Sequence, residues 1–516
     1  MEIFRLKYLR VKDNRIFEKE IRFDFSQESD SFSIDAPYIT LILGPNGTGK
    51  SNLLKFILEL FRLAFDKQQE SKNISYPSGK YFFEFALGND SYTILNTLGW
   101  ENGNEKPKDV EDEKNEKGIR FWKNGSEISA KQLKIPQSIL ALSIMLTDKY
   151  LFLRNPESYP IYTYLGVRRD SNSAGTKSLI GKTIDNIFFA IHKKDFIENL
   201  KEMLEFLSLK PEFHVSYTPR YKKHIFRSDL TPEQLEDFFL NYHKYLPKRK
   251  TEPWSISKFK SLKSKSPDLI DKIVELIRYL SNRLWTYGNS KAPCFDFDIV
   301  NIDADALALF PYLTYLHQLD LISYPEIVVV AENESDYFLA ESSSGEYHFI
   351  STIVGLLAKI TENSLILIDE PEISLHPNWQ MKYVAFLNKV FKKYNSAHFI
   401  ICSHSHFLVS DLKPESSSII ILKKSEGNIT STPITKSTFG WSAEEVLYSV
   451  FNVRTSRNAY LEFDLTKMVS LINKNSDDFD EIRRIHNKIS SLVLSDNDPL
   501  NILKEKAELY LNKNNA

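Results

Sequence analysis

The sequence predicts an α/β fold in which one parallel-sheet unit is interrupted by a helical insertion and followed by a helical tail. Two features point there first: strand-like apolar runs alternate with helices over 1–150 and again over 325–430, and the stretch between, 151–324, carries apolar residues at spacings of three and four. From Trp441 onward the chain reads as mostly helical, which makes 431–516 the tail.

In the first part, strands are expected at 2–9, 21–25 and 38–43, then a helix over 50–65. Further strands follow at 80–87, 92–98, 119–123 and 139–143, with a turn at Asn124-Gly125. The charged stretch EKPKDVEDEKNEKG (105–118) reads as a mobile loop. Helices are expected over 184–207, 231–245, 267–283 and 304–319, and no heptad seam continues far enough for a coiled-coil arm. After Pro325 the alternation of a parallel sheet returns, with strands at 326–330, 365–368 and 398–402 and helices over 346–361 and 378–394.

A chain of 516 residues is long enough for two or three compact units, and 42% hydrophobic with 26% charged residues is ordinary globular composition. The net charge of -2 supplies no overall pull toward nucleic acid or membrane. Cys294 and Cys402 are the only cysteines, too few for a disulfide framework or a zinc knuckle. The opening MEIFRLKYLRV alternates like a strand and lacks a signal-peptide core, and no run approaches the length of a membrane span. A cytoplasmic protein without membrane contact is expected.

The strongest local pattern is GPNGTGKS (44–51), which satisfies G-x-x-x-x-G-K-[ST] between an apolar strand and a helix. Glycines let consecutive N–H groups face phosphates, and the helix N-terminus adds a favourable dipole. Gly44, Pro45, Asn46, Gly47, Thr48, Gly49, Lys50 and Ser51 are therefore expected to bind ATP. Lys50 would reach the β- and γ-phosphates, and the Ser51 hydroxyl would ligate Mg²⁺. The second pattern, LILIDEPE (365–372), describes a buried strand delivering carboxylates at its C-terminal end. Asp369 would hold Mg²⁺ through water, and Glu370 would orient the attacking water. The third, SSSGE (342–346), precedes a helix; taken alone it reads first as a helix cap. The fourth, CSHSH (402–406), ends a strand, where His404 can contact a γ-phosphate; alone, His404 and His406 read equally as a surface pair or metal ligands.

In this order, GPNGTGKS, SSSGE (342–346), LILIDEPEISLHP (365–377) and IICSHSHFLVSDL (400–412) resemble an ABC-type P-loop ATPase head, in the branch shared by OLD-type, RecF-type and SMC-type proteins. The resemblance implies that Ser343, Ser344 and Gly345 form the signature loop, which in that family contacts the γ-phosphate held by the other protomer of a homodimer or higher homo-oligomer. It also implies that 372–376 is the D-loop region and that His404 is the switch histidine, a catalytic residue with Glu370 and Lys50. One departure concerns the strand entering the insertion, which often ends in Gln in the family. Here 135–152 runs instead into Met145 and Asp148.

LALSIMLTDKYLF (140–152), YTYLGVRRDSNSAGTKSL (162–179) and FGWSAEEVLYSVFNVRTSRN (439–458) further resemble the PtuA-like ATPase subunit of Septu-type antiphage systems and of some retrons. That likeness implies a separate HNH nuclease subunit (PtuB-like) and, in retron forms, a reverse transcriptase with its RNA–DNA product. A RecF/OLD-like DNA-processing ATPase and a non-hydrolysing ATP-bound scaffold are the alternatives. An in-chain nuclease would need acids such as Glu426, Asp478, Asp480, Asp496 and Asp498 in a strand-and-helix fold, whereas 441–494 reads as helical. Between Pro219 and Lys265, twelve basic residues face five acidic ones with Tyr217, Tyr221, Tyr242, Tyr245 and Trp254 close by. That composition suits a nucleic-acid surface and a solvated basic segment equally well.

Overall fold

The computed structural model describes residues 2–26, 36–71, 74–96, 118–153, 156–168, 176–221, 223–241, 254–284, 294–409, 411–425, 427–434, 438, 440–441, 445–447, 459–474, 476–492 and 499–513. The chain forms two units, 1–440 and 441–516.

The larger unit begins with β1 (Phe4–Lys12), β2 (Ile21–Asp24), β3 (Tyr38–Leu43) and α1 (Lys50–Gln68). A meander follows: β4 (Lys80–Leu87), β5 (Asp90–Asn96), β6 (Ile119–Lys123) and β7 (Ser126–Ile128). Next come β8 (Ser138–Ser143), β9 (Tyr162–Tyr164), α2 (Thr176–Ala190) and α3 (Lys194–Phe206). The insertion continues with β10 (Leu209–Tyr217), α4 (Pro232–Leu240), α5 (Trp254–Lys265), α6 (Pro267–Ser281), β11 (Phe295–Asp298), α7 (Ala304–Leu309) and α8 (Leu313–Gln318). It closes with β12 (Glu326–Ala331) and β13 (Asp336–Phe338). The last stretch holds α9 (Ser344–Lys359), β14 (Ser364–Asp369), α10 (Pro377–Val390), β15 (His398–Ser403), β16 (Ser417–Ser425) and β17 (Asn428–Ile434).

A central sheet of order β17-β16-β3-β15-β14-β8-β9 is parallel except at its β17 edge. Every residue of β3, β14 and β15 is buried, as continuous apolar runs covered on both faces should be. An antiparallel sheet, β2-β1-β4-β5-β6-β7, shows the other pattern: β4 alternates buried and half-buried positions because one face meets the core. Helix α1 belongs to one apolar core with both sheets. Its Phe61 ring stands 5.2 Å from Phe83 and 5.1 Å from Phe85. His398 on β15 ties the sheets together, accepting the Leu6 N–H on Nδ1 at 2.9 Å, with Nε2 2.8 Å from Thr40 Oγ1.

Two expectations need correction. The segment 326–330 is a strand, but it lies in a separate antiparallel sheet of order β11-β10-β12-β13 rather than in the parallel one. A central antiparallel strand covered on both faces carries the same apolar run as a parallel one, so the pattern alone does not separate them. The insertion is thus not purely helical, since β10 and β11 interrupt it. The single helix expected over 184–207 is two helices, broken where Lys193 takes extended backbone. From there Lys193 Nζ reaches the carbonyl of Ala358 at 2.6 Å, at the C-terminal end of α9 where cations are favoured.

The smaller unit holds α11 (Ala459–Asn473), α12 (Phe479–Ser490) and α13 (Pro499–Lys513) around Leu461, Met468, Ile482, Ile485, Ile489 and Leu511. Asp464 of α11 joins Arg484 and Lys488 of α12. Most of 439–458 and all but Gly118 of the loop expected at 105–118 lie outside the described residues.

Candidate active site

Strands β3, β14 and β15 are adjacent and parallel, so their C-terminal ends open on one edge of the sheet. Register aligns Leu43 with Ser403 and Asp369 with Cys402. The loop 44–49, the acids 369–370 and the 403–406 turn therefore converge, although they come from distant parts of the sequence. Gly47 and Gly49 take φ of 77° and 85°, conformations that L side chains resist, and this curl feeds directly into α1. No side chain caps the first turn of α1, which leaves its N–H groups available to an anion.

Lys50 is buried, and burial lowers its pKa. Its Nζ donates to the Gly44 carbonyl at 2.9 Å and lies 2.6 Å from His404 Nε2. The same Nε2 is 2.9 Å from Glu370 Oε1. One imidazole thus bridges an ammonium and a carboxylate, and its hydrogen bond is chiefly what lowers the Glu370 pKa. One nitrogen cannot donate to Glu370 and accept from Lys50 at once, so only one of the two contacts is a hydrogen bond in any one tautomer. Glu370 itself sits at φ 52°, a conformation costing a non-glycine residue about 1–3 kcal/mol. Its N–H bonds the Cys402 carbonyl at 2.8 Å, which fixes that geometry.

Ser51 Oγ donates to Asp369 Oδ1 at 3.1 Å. Burial pushes the Asp369 carboxyl up to about 7. A hydroxyl and a carboxylate side by side at the mouth of a phosphate loop fit Mg²⁺, which takes few protein oxygens and completes its shell with phosphate and water. Among the described residues, no group of three or more His, Cys, Asp or Glu that could hold a metal ion is found.

A family model described as "AAA ATPase domain" matches residues 5–409. The chain belongs to that family. "Retron Vc95 probable ATPase" of Vibrio cholerae serotype O1 biovar El Tor is 22% identical over 94% of this chain and 87% of its own. "Retron Ec83 probable ATPase" of Escherichia coli is 28% identical over 19% of this chain and 20% of its own. Among solved structures, the SMC head domain from Thermotoga maritima aligns with TM-score 0.35 and 11% identity, covering 84% of this chain and all of that one.

The remaining predicted residues of this ATPase make contacts of their own. Ser343 caps α9, accepting the Glu346 N–H at 3.2 Å, and both Ser343 and Ser344 are exposed. Gly345 is buried against the loop after β14: a Cβ there would stand 2.1 Å from the Ser374 carbonyl oxygen. Ser374 holds a φ of 66°. Gly345, His348, Ser143 and Asp369 line one shared pocket. Asp148 is committed elsewhere, its buried carboxylate bonding Arg168 at 2.5 and 2.9 Å and the Tyr164 hydroxyl at 2.7 Å.

Of the five acids considered for an in-chain nuclease, two are described. Asp478 caps α12 through the Glu481 N–H, Asp480 pairs with Arg483, and Glu426, Asp496 and Asp498 lie outside the described residues. The basic stretch is also partly neutralised: Arg220 pairs with Asp320, Arg227 with Asp229, and Lys263 with Glu236. Lys222, Tyr242, Lys244, Tyr245, Lys248, Arg249 and Lys250 lie outside the described residues. Sequence reasoning gave no role to Gln380, Ser405 or the Glu372 side chain, all of which bond within or to the 403–406 turn. The fourth residue of DEPE was the available signal.

Proposed function

We propose that this ATPase is the nucleotide-driven regulatory subunit of a retron-type antiphage defence complex. The observation that carries the hydrolytic part is the Lys50–His404–Glu370 chain beside the Ser51–Asp369 pair. In this reading Gly44–Ser51 cradle the phosphates, Lys50 neutralises the β- and γ-oxygens, and Ser51 with Asp369 hold Mg²⁺. The metal supplies charge neutralisation between phosphate oxygens. Glu370 accepts a proton from the attacking water, and His404 orients Glu370 and senses the γ-phosphate.

The exposed Ser343 and Ser344 at the start of α9 support a composite site, in which the signature loop of one protomer completes the nucleotide site of another. The likeness to retron ATPases over nearly the whole chain supports the biological setting. In this reading the ATPase works in a cytoplasmic assembly with a separate HNH nuclease subunit, a reverse transcriptase and its RNA–DNA product. No helix among the described residues is long and apolar enough to cross a membrane. Of the divisions 1–150, 151–324, 325–430 and 431–516, this reading moves two: the insertion runs on through β13 and the tail starts after β17.

Glu370→Gln should lower turnover roughly 10²–10⁴-fold while ATP binding survives, as expected on losing a general base. The same variant should sediment as a larger species with ATP than without. Unchanged turnover refutes the role of Glu370, and an ATP-independent mass refutes the composite site. Phage challenge of cells carrying the chain with its neighbouring reading frames tests the setting: protection that survives Glu370→Gln counts against a hydrolysis-driven regulator.

A further inference from the structure

We infer that Glu372 is a positioning residue for ATP hydrolysis, holding the main chain at His404 so that the imidazole stands between Lys50 and Glu370, an inference that rests on the hydrolytic reading of Glu370 and His404. Glu372 Oε1 accepts the backbone N–H of His404 at 2.6 Å. A main-chain bond to a charged acceptor is among the stronger hydrogen bonds a protein makes, and it fixes the residue whose side chain bridges the site. The carboxylate is costly where it stands, because burial raises its pKa. Glu372 is half-buried, and the main-chain N–H it holds explains a carboxylate in that place.

Gln380, in the first turn of α10, braces the same arrangement from behind. Its Nε2 donates to the carbonyls of Glu372 (3.3 Å) and Leu375 (3.0 Å). Its Oε1 accepts the Ser405 hydroxyl at 2.7 Å. Ser405 N–H in turn donates to Ser403 Oγ at 2.8 Å, so the turn is tied at the residues on both sides of His404. The loop after β14, which carries Glu372, also receives the start of α9 at the Ser374 carbonyl. The strap therefore connects the γ-phosphate sensor to the surface that a second protomer would meet.

The test compares Glu372→Leu, which removes the acceptor, with Glu372→Gln, which keeps an oxygen acceptor at the same length without charge. Turnover in Glu372→Leu should fall about 10²-fold, the scale of a misplacement near 1 Å. ATP affinity, measured with Mg·ATP on Glu372→Leu, should stay within about threefold, and Glu372→Gln should recover turnover to within about tenfold of the parent. A merely structural role would lower affinity and turnover together, and that result overturns the inference. So does parental turnover in Glu372→Leu, or a Glu372→Gln protein as inactive as the leucine variant. If Glu372→Leu does not fold, Gln380→Leu decides: turnover down about tenfold at unchanged affinity supports positioning, and parental turnover overturns it. His404→Ala separates the two layers. Parental turnover there removes the reading of His404 itself, whereas an inactive His404→Ala beside a fully active Glu372→Leu removes only the role of Glu372.

Discussion

Replacing Gly345 with alanine adds one methyl group at the junction between the start of α9 and the loop after β14. The new Cβ would lie 2.1 Å from the Ser374 carbonyl oxygen and 3.0 Å from its carbonyl carbon. A comfortable carbon–oxygen contact is about 3.3 Å, so the two backbones must part by about 1.2 Å. The neighbour is main chain, held at φ 66°, and has no rotamer through which to yield. Overpacking of this kind costs about 1–3 kcal/mol, and the helix preference of alanine over glycine returns about 1 kcal/mol of it. The net change in stability is therefore about 0–2 kcal/mol, and a melting curve alone is not the deciding instrument. Turnover is the right one, because a shift near 1 Å close to reacting groups costs on the order of 10²-fold. ATP binding should be unaffected, since the atoms nearest the new methyl belong to Ser374 and Leu375 rather than to the 44–51 loop. Gly181→Ala, on α2 with open space around its Cβ, is the matched control and should behave as the parent. Gly345→Ala turnover within about twofold of the parent, with the control equally active, would refute the close approach as a functional constraint.

Lys50→Ala should weaken ATP binding about 10–100-fold by calorimetry, the loss expected for a charge-assisted contact to phosphate; parental affinity would argue that the main chain of 44–51 binds alone. Burial holds the His398 pKa well below the histidine range, so the folded protein keeps that ring neutral while the unfolded chain protonates it near pH 6.5. Stability from this group is complete above about pH 6.5 and falls by about 1.4 kcal/mol per pH unit below it. His398→Phe should flatten that acid limb in denaturation series between pH 7.5 and 5.5, at the cost of an unpaired Leu6 N–H; an identical acid limb would assign the pH response elsewhere.

The parts of this fold that could be read in sequence are those whose environment is uniform. β3, β14 and β15 are buried on both faces and appear as unbroken apolar runs ending in GPNG, DEPE and SHSH. β10 was illegible because LKPEFHVSY carries Pro211 within an irregularity of its pairing with β12, between Leu209 and Phe213. Its partners lie far along the chain, where no local pattern reaches. In the site, residue types announced themselves where chemistry requires them, at Lys50, Ser51, Asp369, Glu370 and His404. The supports did not, since Glu372 and Gln380 act through main-chain bonds that many polar residues can make. Gly345 was legible as small, but the reason lies in Ser374 of the same chain.

The placing of β3 has a consequence for synthesis of the protein. Both of its ladder neighbours, β15 and β16, are encoded near the other end of the chain; Thr40 and the His398 that bonds it are 358 residues apart. At ribosomal speeds of about 5–20 residues per second, that separation leaves β3 without either neighbour for roughly 20–70 s. During this interval an apolar strand with two open edges is held only by what precedes the insertion, which makes it a substrate for chaperones and a liability for aggregation. The phosphate loop cannot take its final form until β15 arrives, so the nascent chain cannot bind nucleotide until nearly all of the larger unit has been made.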